Sequence, residues 1–214
     1  MMKIEEVNAK LMKWVEENRS HTMLGETVEQ KYEGFLSFIE TLIGHRLEMD
    51  HKVFQSELET SHRNRALAYY LKDSMLLELE VEEALDIYIR QCSICIGLKD
   101  LAKIGLVIAH DGADPITKKL IFAKDIARIA KVLMVTCGMY NSSGKFAAHV
   151  GIPAKSGVSG AILAAVPPKW HLEEAFRNGC GIAVFAPAID PHGNSTAGTM
   201  LLRRISAEWN FSIF

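Results

Sequence analysis

Three features of the amino-acid sequence predict an α+β fold. Apolar residues recur at helical spacing as far as residue 110, the chain turns glycine-rich at about Cys137, and two apolar, β-leaning runs follow. Helices grouped ahead of strands, rather than alternating with them, separate α+β from an α/β alternation. Residues 4–17 carry Ile4, Val7, Leu11, Trp14 and Val15 on one helical face. Residues 26–44 repeat the pattern with Val28, Tyr32, Phe35, Phe38, Ile39, Leu42 and Ile43, and Gly44 stands at the C′ position that ends a helix. Helices are also predicted over 61–75, 81–91, 99–110 and 124–135, the third closed by the Asp111-Gly112 turn signal. Residues 161–166 and 181–186 read as buried strands. The intervening 169–177 fits a short surface helix or one arm of a hairpin, and 197–209 reads as a closing helix.

The chain has 214 residues, 49% apolar and 23% charged, with a formal net charge of −2. That length predicts a single domain over 1–214, large enough to fold without disulfide or metal staples. A charge so near zero argues against a nucleic-acid or acidic-membrane partner, since neither would meet a strong field. The start turns acidic at Glu5-Glu6 with no apolar stretch behind it, so no signal peptide is expected. The longest apolar runs fall short of the ~20 residues needed to span a bilayer. Four cysteines are too sparse for a disulfide scaffold and point to the cytoplasm. Cys92 and Cys95 form a lone CxxC without the second pair that zinc needs, so all four thiols are expected to be buried and inert.

Chemistry concentrates in the glycine-rich part. Lys155-Ser156-Gly157 opens a β-like run, and a Lys-Ser/Thr-Gly triplet on an edge strand of penicillin-recognising serine enzymes brings a cation, a hydroxyl and an open backbone to one pocket. The glycine leaves room for a substrate lying along the strand. Alone, the triplet is common in surface turns.

Further blocks accompany it. Val53-Phe54-Gln55-Ser56-Glu57, Arg63-Asn64, Tyr69-Tyr70-Leu71-Lys72, Asp86-Ile87-Tyr88, Gln91-Cys92-Ser93, Cys137-Gly138-Met139-Tyr140, His149-Val150-Gly151, Pro153 to Val158 and Gly193-Asn194-Ser195 occur in this order. Together they resemble the glutaminases, serine-dependent amidohydrolases that convert L-glutamine to L-glutamate and ammonia, from about residue 30 to the C-terminus. The resemblance implies the β-lactamase/transpeptidase-like fold, no metal or organic cofactor, and symmetric homo-oligomers. It also implies roles: Glu57 receives the substrate α-amino group, Asn64 binds the α-carboxylate, Tyr88 lines the pocket, Tyr140 shuttles protons and the Val158 backbone N–H completes the oxyanion hole.

Each position has a plainer reading. Glu57 lies in a polar helical stretch and reads as a solvated charge, Asn64 as a cap or surface residue, Tyr88 as a core tyrosine with its hydroxyl at the rim, and Val158 as a strand valine. Tyr140, in a glycine-rich loop, is harder to explain by packing. His149 stands at a family histidine position and reads as a satisfied core residue.

Glutaminases also need a nucleophilic serine followed three residues later by a lysine, well upstream of the Glu57 block. The only Ser-x-x-Lys here is Ser142 to Lys145, after Tyr140, and Gly144 argues against the helix such a pair requires. The expectation is therefore an N-terminally truncated member. Its rivals are a non-catalytic glutamine- or glutamate-binding module or partner of a full-length subunit, and, less well supported, a penicillin-binding hydrolase. Asn8 sits near a family asparagine position, but Lys10 breaks the motif there.

Overall fold

A computed structural model of the chain describes residues 27–169 and 171–214; the helix expected over 4–17, Asn8 and Trp170 lie outside them. Two compact units meet in sequence at Cys95 and Ile96.

The first unit holds four helices: α1 (Val28–Ile43), α2 (His51–Thr60), α3 (His62–Asp73) and α4 (Val81–Cys92). A capping box starts α1, with the Gln30 N–H donating to Thr27 Oγ1 at 3.2 Å and the Thr27 N–H to Gln30 Oε1 at 3.3 Å. Gly44 ends it at φ 95°, as its C′ position predicts. Asp50 caps α2 by accepting from the Lys52 and Val53 N–H groups, which hold its carboxyl below the usual range. Buried Ser61 separates α2 from α3. Ala68, Val81, Leu85 and Ile89 form a core, with Phe54, Leu58 and Leu77 against it, so α2, α3 and α4 share one apolar centre. Lys31 of α1, almost wholly buried, meets Glu83 of α4 at 2.6 Å, and such a cation is tolerable only when paired.

In the second unit, α5 (Leu98–Ala109) and α6 (Lys124–Thr136) lead into a short 3₁₀ turn (Tyr140–Ser142) and α7 (Ser143–His149). Strands β1 (Ala154–Ser156), β2 (Ala161–Val166) and β3 (Cys180–Phe185) form an antiparallel sheet in that order, with Lys155 opposite Leu163 and Ile162 opposite Val184. Helix α8 (Thr196–Trp209) follows and ends at Asn210 in the left-handed region. Met139, Phe146, Ile152, Ile162, Leu202 and Phe211 are buried in one core. The Ser206 hydroxyl of α8 donates to the Val150 carbonyl at 2.5 Å, fixing α8 to the end of α7.

Helix α5 lies against the sheet backbone to backbone. A Cβ on Gly105 would stand 2.6 Å from the Ala164 carbonyl oxygen, and one on Gly181 would stand 1.9 Å from that of Ala102. No side chain fits at either point.

Three expectations are corrected. Cys92, Cys95 and Cys137 are exposed; only Cys180 is half-buried, and burial pushes its thiol up to about 11, leaving it protonated at neutral pH. Of the expected segment 169–177, the residues from 171 on form neither an α-helix nor a strand arm of a hairpin. They make a loop with a 3₁₀ turn at Glu174–Phe176, because Leu172 is buried in the core and Phe176 packs on Trp209 and Phe211, with ring centroids 4.8 and 5.1 Å away. Finally, α7 runs straight through Gly144. The glycine's helix penalty of ~1 kcal/mol is offset by burial of Phe146 and by the Ser143 hydroxyl, which accepts the Met139 N–H and donates to the Tyr140 carbonyl.

Gly181→Ala should lower the stability of the second unit by about 2 kcal/mol or more, read as an earlier thermal or urea transition, since backbone cannot yield to the new methyl. Asp111 gives a pH test. A hydrogen bond from Lys131 at 2.6 Å, seconded by Lys124, holds its carboxyl below the usual range. This contribution is full above the unfolded value of about 3.9 and disappears as pH falls through the lower folded value. Asp111→Asn should therefore destabilise the protein at pH 7 and flatten that part of its acid unfolding curve.

Candidate functional site

The second unit builds its polar centre around Tyr140. After α6 the chain must pass Gly138, where a Cβ would stand 1.9 Å from the Ala154 carbonyl oxygen, so the backbone presses directly on β1. Met139 is then buried, and Tyr140 takes φ 48°, an uncommon conformation for a tyrosine. The Ser143 hydroxyl braces this turn by bonding Met139 and Tyr140 at 3.0 and 2.7 Å. The tyrosine is thus presented by a braced, left-handed turn rather than packed into the core; the residue is 38% exposed.

Lys155 and Gly193 border the ring. The Lys155 ammonium lies 4.5 Å from the Tyr140 ring centroid. A Cβ on Gly193 would stand 3.4 Å from Tyr140 Cε2 and 3.3 Å from Val158 Cγ1, so this glycine's backbone lies against both residues. Its loop is fixed from within: Asp190 accepts from the His192 and Asn194 N–H groups at 2.9 Å each, which hold its carboxyl below the usual range. Gly193 itself needs φ 96°.

Val158 is not in a strand. It occupies the turn between β1 and β2, which the Gly157 N–H closes by donating to the Ala161 carbonyl at 2.8 Å. Among the described residues no backbone carbonyl takes the Val158 N–H. Ser156, next to Lys155 in the triplet, points inward, and its buried hydroxyl has no partner among the described residues.

In the first unit, Glu57 lies on α2, Asn64 on α3 and Tyr88 on α4. The Glu57 carboxylate is exposed and forms no ion pair among the described residues, as a solvated charge would. Asn64 is partly exposed and caps nothing, since Ser61 is the N-cap of α3. Tyr88 is half-exposed, one turn after buried Leu85 on the same helix, so it is not a core tyrosine. His149 is likewise no core residue: it is exposed in the last turn of α7.

Ser142 closes the 3₁₀ turn and Lys145 follows in α7; both line a cavity of about 220 Å³ with Met139, Phe146, Asn194 and Arg203. Tyr140 and Val158 do not line it. Gly193 and Lys155 were visible in the sequence as members of the Gly193-Asn194-Ser195 block and of the triplet, but nothing in sequence spacing puts either against a tyrosine ring. Among the described residues, no group of three or more His, Cys, Asp or Glu side chains is placed to hold a metal ion. No described helix is long and apolar enough to cross a membrane.

Comparison with known proteins adds a consistent picture. A family model described as Glutaminase matches residues 19–214. Glutaminase 1 of Bacillus subtilis (strain 168) is 55% identical over 190 residues, which cover 89% of this chain and 58% of that protein. A crystal structure of a probable Bacillus subtilis glutaminase superposes with a TM-score of 0.86 at 54% identity, covering 90% of this chain and 62% of that one. A probable glutaminase from Bacillus subtilis complexed with 6-diazo-5-oxo-L-norleucine gives 0.85, again at 54% identity, with 90% and 62% covered. The architecture is accordingly the β-lactamase/transpeptidase-like fold expected from the sequence, and the chain spans about three-fifths of the length of the relatives it matches.

Substituting Gly193 by valine should displace the Tyr140 ring and the Val158 turn together, because both lie within contact of the added side chain and the backbone is left-handed. Tyrosine near-ultraviolet dichroism and the Val158 amide resonance should both change, while far-ultraviolet dichroism stays that of the native helices.

Proposed function

This chain belongs to the glutaminase family, and on that premise we propose that it contributes the substrate-recognition and proton-handling residues of a serine amidohydrolase acting on L-glutamine. The observation carrying this reading is the Tyr140 centre: a phenol on a braced left-handed turn, a lysine ammonium over its ring, and an N–H of the Val158 turn left without a backbone acceptor.

The chemistry assigns one task to each group. The exposed Glu57 carboxylate takes the substrate ammonium and the Asn64 amide its α-carboxylate, contacts that together select an α-amino acid. Tyr88 lines the pocket near the substrate. As a serine attacks the side-chain amide, passing its proton to the lysine three residues on, negative charge grows on the amide oxygen, and the Val158 N–H donates to it. The Tyr140 phenol passes a proton to the departing nitrogen, which leaves as ammonia, and water then releases glutamate from the acyl-enzyme. The nucleophilic serine and its lysine are not among the groups assigned above. Ser142 and Lys145 keep the family's spacing, but they line a separate cavity from which Tyr140 and Val158 are absent.

That separation favours a second reading, in which the chain binds glutamine or glutamate, or completes a full-length subunit, without turnover. We place the protein in the cytoplasm, as a homo-oligomer like the family at large.

Calorimetry with L-glutamate and an ammonia-release assay with L-glutamine test both readings on the 214-residue chain. Binding is expected, weakened about 10- to 100-fold in Glu57→Gln, the loss of one charge-assisted contact, with ammonia release at background. Undiminished binding in Glu57→Gln would remove the recognition role. Steady turnover abolished by Tyr140→Phe would instead show that this chain recruits its own nucleophile.

A further inference from the structure

We propose that Lys155 is a positioning residue for Tyr140, its ammonium fixing the ring and making the phenol a stronger acid. This rests on the proton-handling part assigned to Tyr140 above and adds the group that tunes it. Lys155 is on the edge strand β1, while Tyr140 comes from the turn before α7, and the ammonium lies 4.5 Å from the ring centroid. The cation does not swing freely, because it donates to the Ser156 carbonyl, one residue along the same strand. The ring does not swing freely either. Its backbone is braced by Ser143, and Gly193 lies against its edge.

A cation over a neutral phenol gains only the attraction of the ring quadrupole. When the phenol ionises, negative charge spreads into that same ring and the attraction becomes one between full charges at short range. The ammonium therefore favours the phenolate more than the phenol, and the proton is released more readily. Among the described residues, the other titratable groups on α7 and in the Gly193 loop are Lys145 and His149, and Asp190 and His192. The Asp190 carboxylate, the one anion of this set, is engaged by the amides of its own loop. Lys155 is the cation the structure places over the ring face.

For the mechanism, a phenol that yields its proton more readily is a better donor to departing ammonia. The resulting phenolate, held by the same ammonium, is then ready to take a proton from the attacking water. One lysine would serve both halves of the reaction without touching the substrate.

The test is a titration of the phenol itself, so it does not depend on turnover. With ¹³Cζ-labelled tyrosine, each of the five tyrosines gives a resonance, and the one lost in Tyr140→Phe is Tyr140. Its midpoint is expected below the ordinary tyrosine value of about 10. Lys155→Met should raise it by about one unit, a tenfold smaller phenolate fraction at a given pH, and Lys155→Arg should restore it. An unmoved midpoint in a folded Lys155→Met protein would overturn the proposal. So would an equal shift in the Met and Arg variants, because packing rather than charge would then be at work. Should the Met variant fail to fold, Lys155→Gln reads the same quantity. Failure of glutamate binding would defeat the proposed function while leaving this titration intact.

Discussion

The absence of a side chain at Gly138 governs the second unit's chemistry. With the Ala154 carbonyl oxygen where a Cβ would be, the end of α6 can rest on β1 only through bare backbone. That contact brings the turn bearing Tyr140 up to the strand bearing Lys155, and the Ser156 N–H, donating to the Gly138 carbonyl at 3.0 Å, ties the two segments by one hydrogen bond. The left-handed backbone of Tyr140, the Ser143 brace and the reach of Lys155 to the ring all follow from a spacing that any larger residue would open. A similar bare approach seats α5 on β2 and β3 through Gly105 and Gly181. In both places the glycines act by absence, and a cation, a phenol and a strand edge come together because the backbone can.

Helix positions were largely legible because amphipathic periodicity and punctuation agree. Gly44 ends α1 as its chemistry requires and strand β2 occupies the apolar run over 161–166, whereas α2, capped by Asp50, was not marked out as a separate helix. What escaped had competing local signals. Gly144 speaks against a helix, yet tertiary burial of Phe146 outweighs it. Cys92 and Cys137 follow apolar helical patterns, but each falls at the exposed end of its helix.

The candidate site was legible only as words. The blocks around Glu57, Asn64, Tyr88, Tyr140 and Val158 identify a family, and the family supplies roles. The sequence offers no physical reason for a tyrosine to take φ 48°, or for Lys155 to lie over it, because both depend on residues distant in the chain. The structure does correct two of the plainer readings, since Tyr88 is half-exposed and Val158 is a turn residue, while Glu57 is exposed as a solvated charge is.

The seating of α5 on the sheet also bears on how the second unit acquires its structure. Gly105 belongs to its first helix and Gly181 to its last strand, and neither can be buried until the other is in place. The hairpin of β2 and β3 can form locally, but its apolar face stays uncovered until a segment from the opposite end of the unit returns to it, against the entropy of closing the long intervening loop. Such non-local closure slows folding and lengthens the time that strand edges are exposed. The joint that makes the finished unit tight is thus also what makes its unfinished forms prone to associate.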